Sequence, residues 1–173
     1  LAKPGPNVSV IPYVAGNSSK NYEAGTPTEN KVQVGGDAKI GIGPALNLDL
    51  TANPDFSQVE VDEQVTNLDR FEIFFPERRQ FFLENADLFA NFGMDQTRPF
   101  FSRRIGVARD SSTGQNIQNT IYGGARLSGK INNNTRIGLM SMQAAEDPKI
   151  NLASTNYTVG TIQQKVFSQS NIG

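Results

Sequence analysis

The chain contains neither cysteine nor histidine. The first absence excludes disulfides and thiol chemistry without fixing a redox compartment. The second removes the commonest metal ligand and general base, leaving carboxylates, Lys, Tyr and hydroxyls for such work. Charge of either sign is not in excess: 16 Lys and Arg stand against 17 Asp and Glu. Bulk electrostatics therefore make no case for nucleic acid, and none is expected as a partner. No apolar run approaches the ~20 residues of a membrane helix, which excludes a helical span but not a barrel strand. There is no Gly-rich phosphate loop and no nucleophile motif, and nothing calls for a cofactor or a metal. Residue 1 is Leu and no signal peptide follows, so the chain is expected to be processed or part of something longer.

What is present is alternation. From Lys31 to Gly43, Val32, Val34, Ala38, Ile40 and Ile42 share one parity, and Lys31, Gln33, Asp37 and Lys39 the other. A period of two puts these sets on opposite faces of a strand. Gly43-Pro44 supplies a turn, and Ala45 to Asn53 repeats the pattern, with Leu46, Leu48 and Leu50 opposed to Asn47, Asp49 and Thr51. These two segments predict a hairpin. An earlier strand over Asn7 to Ala15 carries Pro12, which suits an edge because proline gives no ladder donor. Thr120 to Ile131 alternates again, then Asn132-Asn133-Asn134 makes a turn. Arg136 to Ala144 reads as a less regular strand, and Asn156 to Phe167 as a last one whose parity slips near Thr161, as at a bulge.

Connections between these six strands run long, short, very long, short, long. Outer-membrane barrels have that asymmetry, with tight turns on one rim and long loops on the other. The charged parity would then face a polar lumen and the Val/Ile/Leu parity the lipid. A soluble sandwich, its apolar parity facing a core, produces the same alternation.

The very long connection has its own character. Ten of the eleven phenylalanines lie between Phe56 and Phe101, among ten carboxylates from Asp55 to Asp95 and seven arginines from Arg70 to Arg109. Rings this numerous must be buried and charges this numerous need partners. Pro76, with Glu77 beside it, suits a helix start, and Phe81, Phe82, Asn85 and Phe89 fall at helical spacing. A helix of about three turns from Pro76 to Phe89 is predicted, with Gly93 after it as a stop. The segment Pro99 to Gly106 reads as a short strand or tight crossing.

Six candidate ligand-binding residues lie here: Glu77, Arg78, Arg79, Glu84, Arg103 and Arg104. Arg78, Arg79, Arg103 and Arg104 have guanidinium forks that match carboxylate or phosphate. The plainer expectation is that they pair with the segment's own carboxylates. Glu77 and Glu84 form an acid–base type of pair, but helix placement would set them two turns apart without a cleft, so no catalytic residue is assigned. The acidic run Asp55, Glu60, Asp62 and Glu63 lacks the spacing and glycine of a calcium loop.

NPDFSQVE, the run FFPERRQFFLENADLF and FFSRRIG, with the closing VFSQSNIG, resemble the signature of a large family of outer-membrane β-barrel proteins of Bacteroidota. Its members often carry, before the barrel, a domain similar to a family-nine carbohydrate-binding module. The resemblance implies that this chain is the start of the barrel region. Pro76, Glu77, Arg78, Arg79, Phe82, Glu84, Arg103 and Arg104 are signature positions in it, with no catalytic role inherited.

The expected fold is thus mainly β: antiparallel strands of a partial transmembrane β-barrel with a long, partly helical insert. Residues 1–53 would hold barrel strands one to three, 54–116 the insert as plug or constriction, and 117–173 strands four to six, continuing beyond the chain given. Six strands cannot close a barrel, since the smallest use ~8. The expected role is a pore or receptor for solute uptake in the Gram-negative outer membrane. Its partners would be the lipid bilayer, an oligosaccharide or other solute, and other outer-membrane complex subunits. The alternatives are a glycan-binding β-domain of a polysaccharide-degrading protein and a structural subunit of an envelope complex.

Overall fold

A computed structural model describes residues 7–20, 27–54, 77, 79–90, 98–110, 114, 116–167 and 170–172. The protein is mainly β and antiparallel. Six long strands form one sheet in the order β1 (Val8–Ser19), β2 (Glu29–Ile42), β3 (Leu46–Ala52), β6 (Ile121–Lys130), β7 (Thr135–Ala144) and β8 (Thr155–Val166). The three-residue β9 (Ser170–Ile172) extends it at one edge. Between β3 and β6 the described residues make two single-turn helices, α1 (Gln80–Leu83) and α2 (Asp87–Ala90), and a small sheet of β4 (Val107–Arg109) and β5 (Asn116–Gln118). The large sheet is open, with β1 and β9 at its edges. Pro12 lies on β1, which has only β2 as a neighbour, so its missing N–H costs no bond between inner strands.

Register decides which residues share a face. Val8, Ile40, Leu48, Leu127, Leu139 and Gly160 lie opposite one another in turn across six strands. One step along, Lys39, Asp49, Arg126, Met140 and Val159 form the matching row on the other face. The Val, Leu and Ile parity is the open one: Val14 is 72 % exposed, Val34 64 %, Leu139 52 % and Ile162 62 %, whereas Asp49, Arg126 and Ser128 are buried. The core lies on the charged-parity side. Phe82, Leu88, Phe89 and Ile105 of the connecting segment pack there on Ile121, Met140 and Met142, with Tyr157 and Val159 at the margin.

Two expectations change. The helix of three turns is instead two single turns, broken at Glu84–Ala86 with Asn85 in the left-handed region (φ 52°). Nor does β8 bulge near Thr161, for its pairing with β7 is unbroken from Thr155 to Gln164. Its apparent slip arises because Tyr157 and Val159 face the insert while Ile162 faces the open side. The one register shift in the β6–β7 pair falls between Ile121 and Gly123. β7 reads as irregular for a similar reason: Met140 and Met142 are apolar on the covered face, and Leu139 on the open one.

The insert's rings need room on the sheet, and Gly138 of β7 provides it. A Cβ there would sit 2.7 Å from the Phe89 ring and 2.7 Å from Thr161 Oγ1. Gly138→Ala is therefore expected to push Phe89 out of its seat and lower stability by about 1–3 kcal/mol, read by thermal unfolding.

Candidate functional site

Among the described residues two polar contacts hold the insert on the sheet and another braces it from within, and the broken helix creates the central one. A continuous helix would bond the Phe81 carbonyl to the amide of residue 85. Here Asn85 turns the chain, and the carbonyls of Phe81 and Glu84 are left without helical partners. Arg126, rising from β6 and 2 % exposed, donates Nη1 to both, at 2.7 Å for Glu84. Its Nε and Nη2 reach Asp49 Oδ2 on the adjacent strand at 3.1 and 2.8 Å. The guanidinium also lies over the Phe81 ring, 5.0 Å from its centroid. Around it Lys39 pairs with the Glu84 carboxylate, and Asn85 Nδ2 donates to Ser128 Oγ at 3.0 Å. One buried cation thus satisfies a buried anion on the sheet and two orphan carbonyls on the insert.

The second contact lies within the insert. Arg79, also buried, donates to both oxygens of Glu77 (2.8 Å each) and to the carbonyls of Ile105 and Ser102, the latter at 2.7 Å. Its guanidinium stacks 4.2 Å above the Phe82 ring centroid. Ser102 Oγ donates to Glu77 as well. Burial works against the charge on Glu77. The Arg79 hydrogen bonds and charge, with the Ser102 hydrogen bond, outweigh it and hold the carboxyl below its ordinary 4.5. The third contact is at the surface, where Arg136 of β7 reaches Asp87 of α2 at 2.6 and 3.3 Å. The Arg136 hydrogen bond lowers the Asp87 carboxyl, and a half-exposed pair of this kind contributes at most about 1 kcal/mol.

Glu77 has its folded value depressed, so its contribution is complete above the unfolded value of 4.5 and fades as the pH falls below it. Protection of residues 98–105 from hydrogen exchange is expected to decline below about pH 4.5. Glu77→Gln should already lack that protection at pH 7 and show no further loss on acidification.

Of the residues singled out from sequence, Glu77 and Arg79 are brought together as partners. Glu84 stands in the separate cluster with Lys39 and Arg126. Arg103 and Arg104 lie in the 3-10 turn Ser102–Arg104, the first half-buried and the second exposed, and both are engaged in interactions of their own. Arg78 lies outside the described residues, as do Pro76 and the acidic run from Asp55 to Glu63. Sequence reasoning missed Arg126, Asp49, Asn85 and Ser128 as a group. Their one signal was the placing of opposite charges on the polar parity of strands that only the sheet makes neighbours. Among the described residues no group of three or more carboxylates is arranged to hold a metal ion.

Fold and site together define an antiparallel β-sheet protein whose charged strand face is closed by an aromatic segment clamped through buried arginines. The chain matches the family described as "Domain of unknown function (DUF5916)" over residues 5–170, and it belongs to that family. Neither the curated proteins nor the solved structures contain a match to it.

Proposed function

We propose that this chain forms part of the wall of an outer-membrane β-barrel, a pore or receptor for solute uptake, with the Phe/Arg/Glu-rich insert held in the lumen. The observation that carries this reading is the inverted burial of the sheet. Leu139, Ile162, Val14 and Val34 are exposed, while the parity holding Asp49, Arg126 and Ser128 is covered. In water such a face would be a large apolar patch on a domain of this size. In a bilayer it is the lipid-facing surface, and the covered parity is the lumen side. Tight turns at 43–45 and 131–134 on one rim, with long connections on the other, fit the same arrangement. An open sheet would leave its edges unpaired in lipid, so further strands complete the wall.

These 173 residues hold no cysteine, so the test needs only the replacement of any cysteine that the rest of the full-length protein carries. Single cysteines at Leu139, Ile162 and Val34, each carrying a fluorophore in the full-length protein reconstituted in liposomes, are expected to be quenched by bromolipid. A label at the exposed turn residue Asn133 should be quenched by aqueous iodide instead. A chain that stays soluble without detergent, with every label open to iodide, would overturn the assignment and favour the glycan-binding alternative.

A further inference from the structure

Between α2 and residues 98–102, above the floor formed by Met140, lies a cavity of about 120 Å³. Its walls include the rings of Phe82, Phe89, Phe100 and Phe101 with the small side chain of Ala90. Phe89 and Phe100 meet at 6.4 Å and 58°, a tilted contact that forms one side of the cavity. The charged groups at its border are already satisfied. Both Glu77 oxygens accept hydrogen bonds from Arg79, and one of them from Ser102. Arg126 spends its donors on Asp49 and two carbonyls, and Arg98 has an interaction of its own. Nothing there asks for a counter-ion, and an ordered water would find few free partners. The cavity is partly open and its lining mostly apolar, and an apolar cavity on the order of 150 Å³ is known to take up benzene or xenon.

We infer that this cavity is a binding site for an uncharged apolar molecule about the size of one aromatic ring. The guest would touch α2 on one side and residues 100–101 on the other, joining the two halves of the insert. The inference is independent of what faces the outer strand parity, so it stands or falls separately from the barrel reading. Crystals of the full-length protein soaked with bromobenzene test it through the anomalous signal of bromine. The expected result is a peak among Phe89, Phe100 and Met140, with none from 4-bromobenzoate, whose shape is similar but whose charge finds no free partner. Ala90→Phe, which places a ring in the same space, should abolish the peak. If that variant does not fold, Ala86→Leu serves, and the contrast between the two probes holds in the unaltered protein. Ordered water in place of bromobenzene, bromine found only on the open sheet face, or equal occupancy by 4-bromobenzoate would overturn the proposal.

Discussion

Arg126→Ala is expected to release the insert from the sheet and to cost about 3–5 kcal/mol, the penalty for breaking a buried ion pair from one side. The change leaves Asp49 charged and buried with only a methyl group where its guanidinium partner stood. It also strips the carbonyls of Phe81 and Glu84 of the donor that the broken helix obliges them to find. Arg126→Lys should recover little, because one ammonium cannot serve a carboxylate on β3 and two carbonyls above it in the same plane. The double change Arg126→Met with Asp49→Leu is the informative control. Removing both charges with little change of volume should restore much of the loss, while the carbonyls stay unsatisfied. Limited proteolysis between residues 77 and 110, beside thermal unfolding, separates the effects: the insert should become cleavable before the sheet melts. A single variant whose insert stays protected would mean that the aromatic core alone holds it down.

Leu139→Arg tests the other face. Leu139 sits in the apolar row with Leu48 and Leu127, half exposed on the open side. A guanidinium at the midplane of a bilayer costs about 2–4 kcal/mol on a barrel's lipid face. The same change on a wetted strand surface stays within about 0.5 kcal/mol. Urea titration of the full-length protein folded into liposomes measures the difference. Ser141→Arg lies two residues on along the same face and should cost less if it is nearer the interface. Equal, negligible costs at both positions would remove lipid from the picture.

Most of the sheet was legible because alternation is a local property. Val32 to Ile42 and Leu46 to Ala52 announce two faces with no knowledge of any neighbour. Turn chemistry at Gly43-Pro44 and Asn132-Asn133-Asn134 then fixes which strands are hairpins. The helix was misjudged because its periodicity is real but its continuity is not. Asn85 tolerates the left-handed region at small cost, and Ser128 offers its side chain a partner on the sheet. The freed carbonyls find Arg126, which lies 45 residues from Phe81 in the chain. No pattern within the helix records that compensation. The pairing of Arg79 with Glu77 is nearly local and was within reach as the plainer expectation for these charges.

Sequence alone determined that this is a mainly β, antiparallel chain with two unlike strand faces and one aromatic, charge-rich connection, since each property depends on residues close together. Only the tertiary structure decided which face the connection covers. That choice turns on the cross-strand rows Lys39–Asp49–Arg126 and Met140–Val159, in which distant segments offer one charge pair and one apolar floor to the same few rings. Burial of a ring or a guanidinium is settled by what lies opposite it in space, and spacing along the chain does not carry that information.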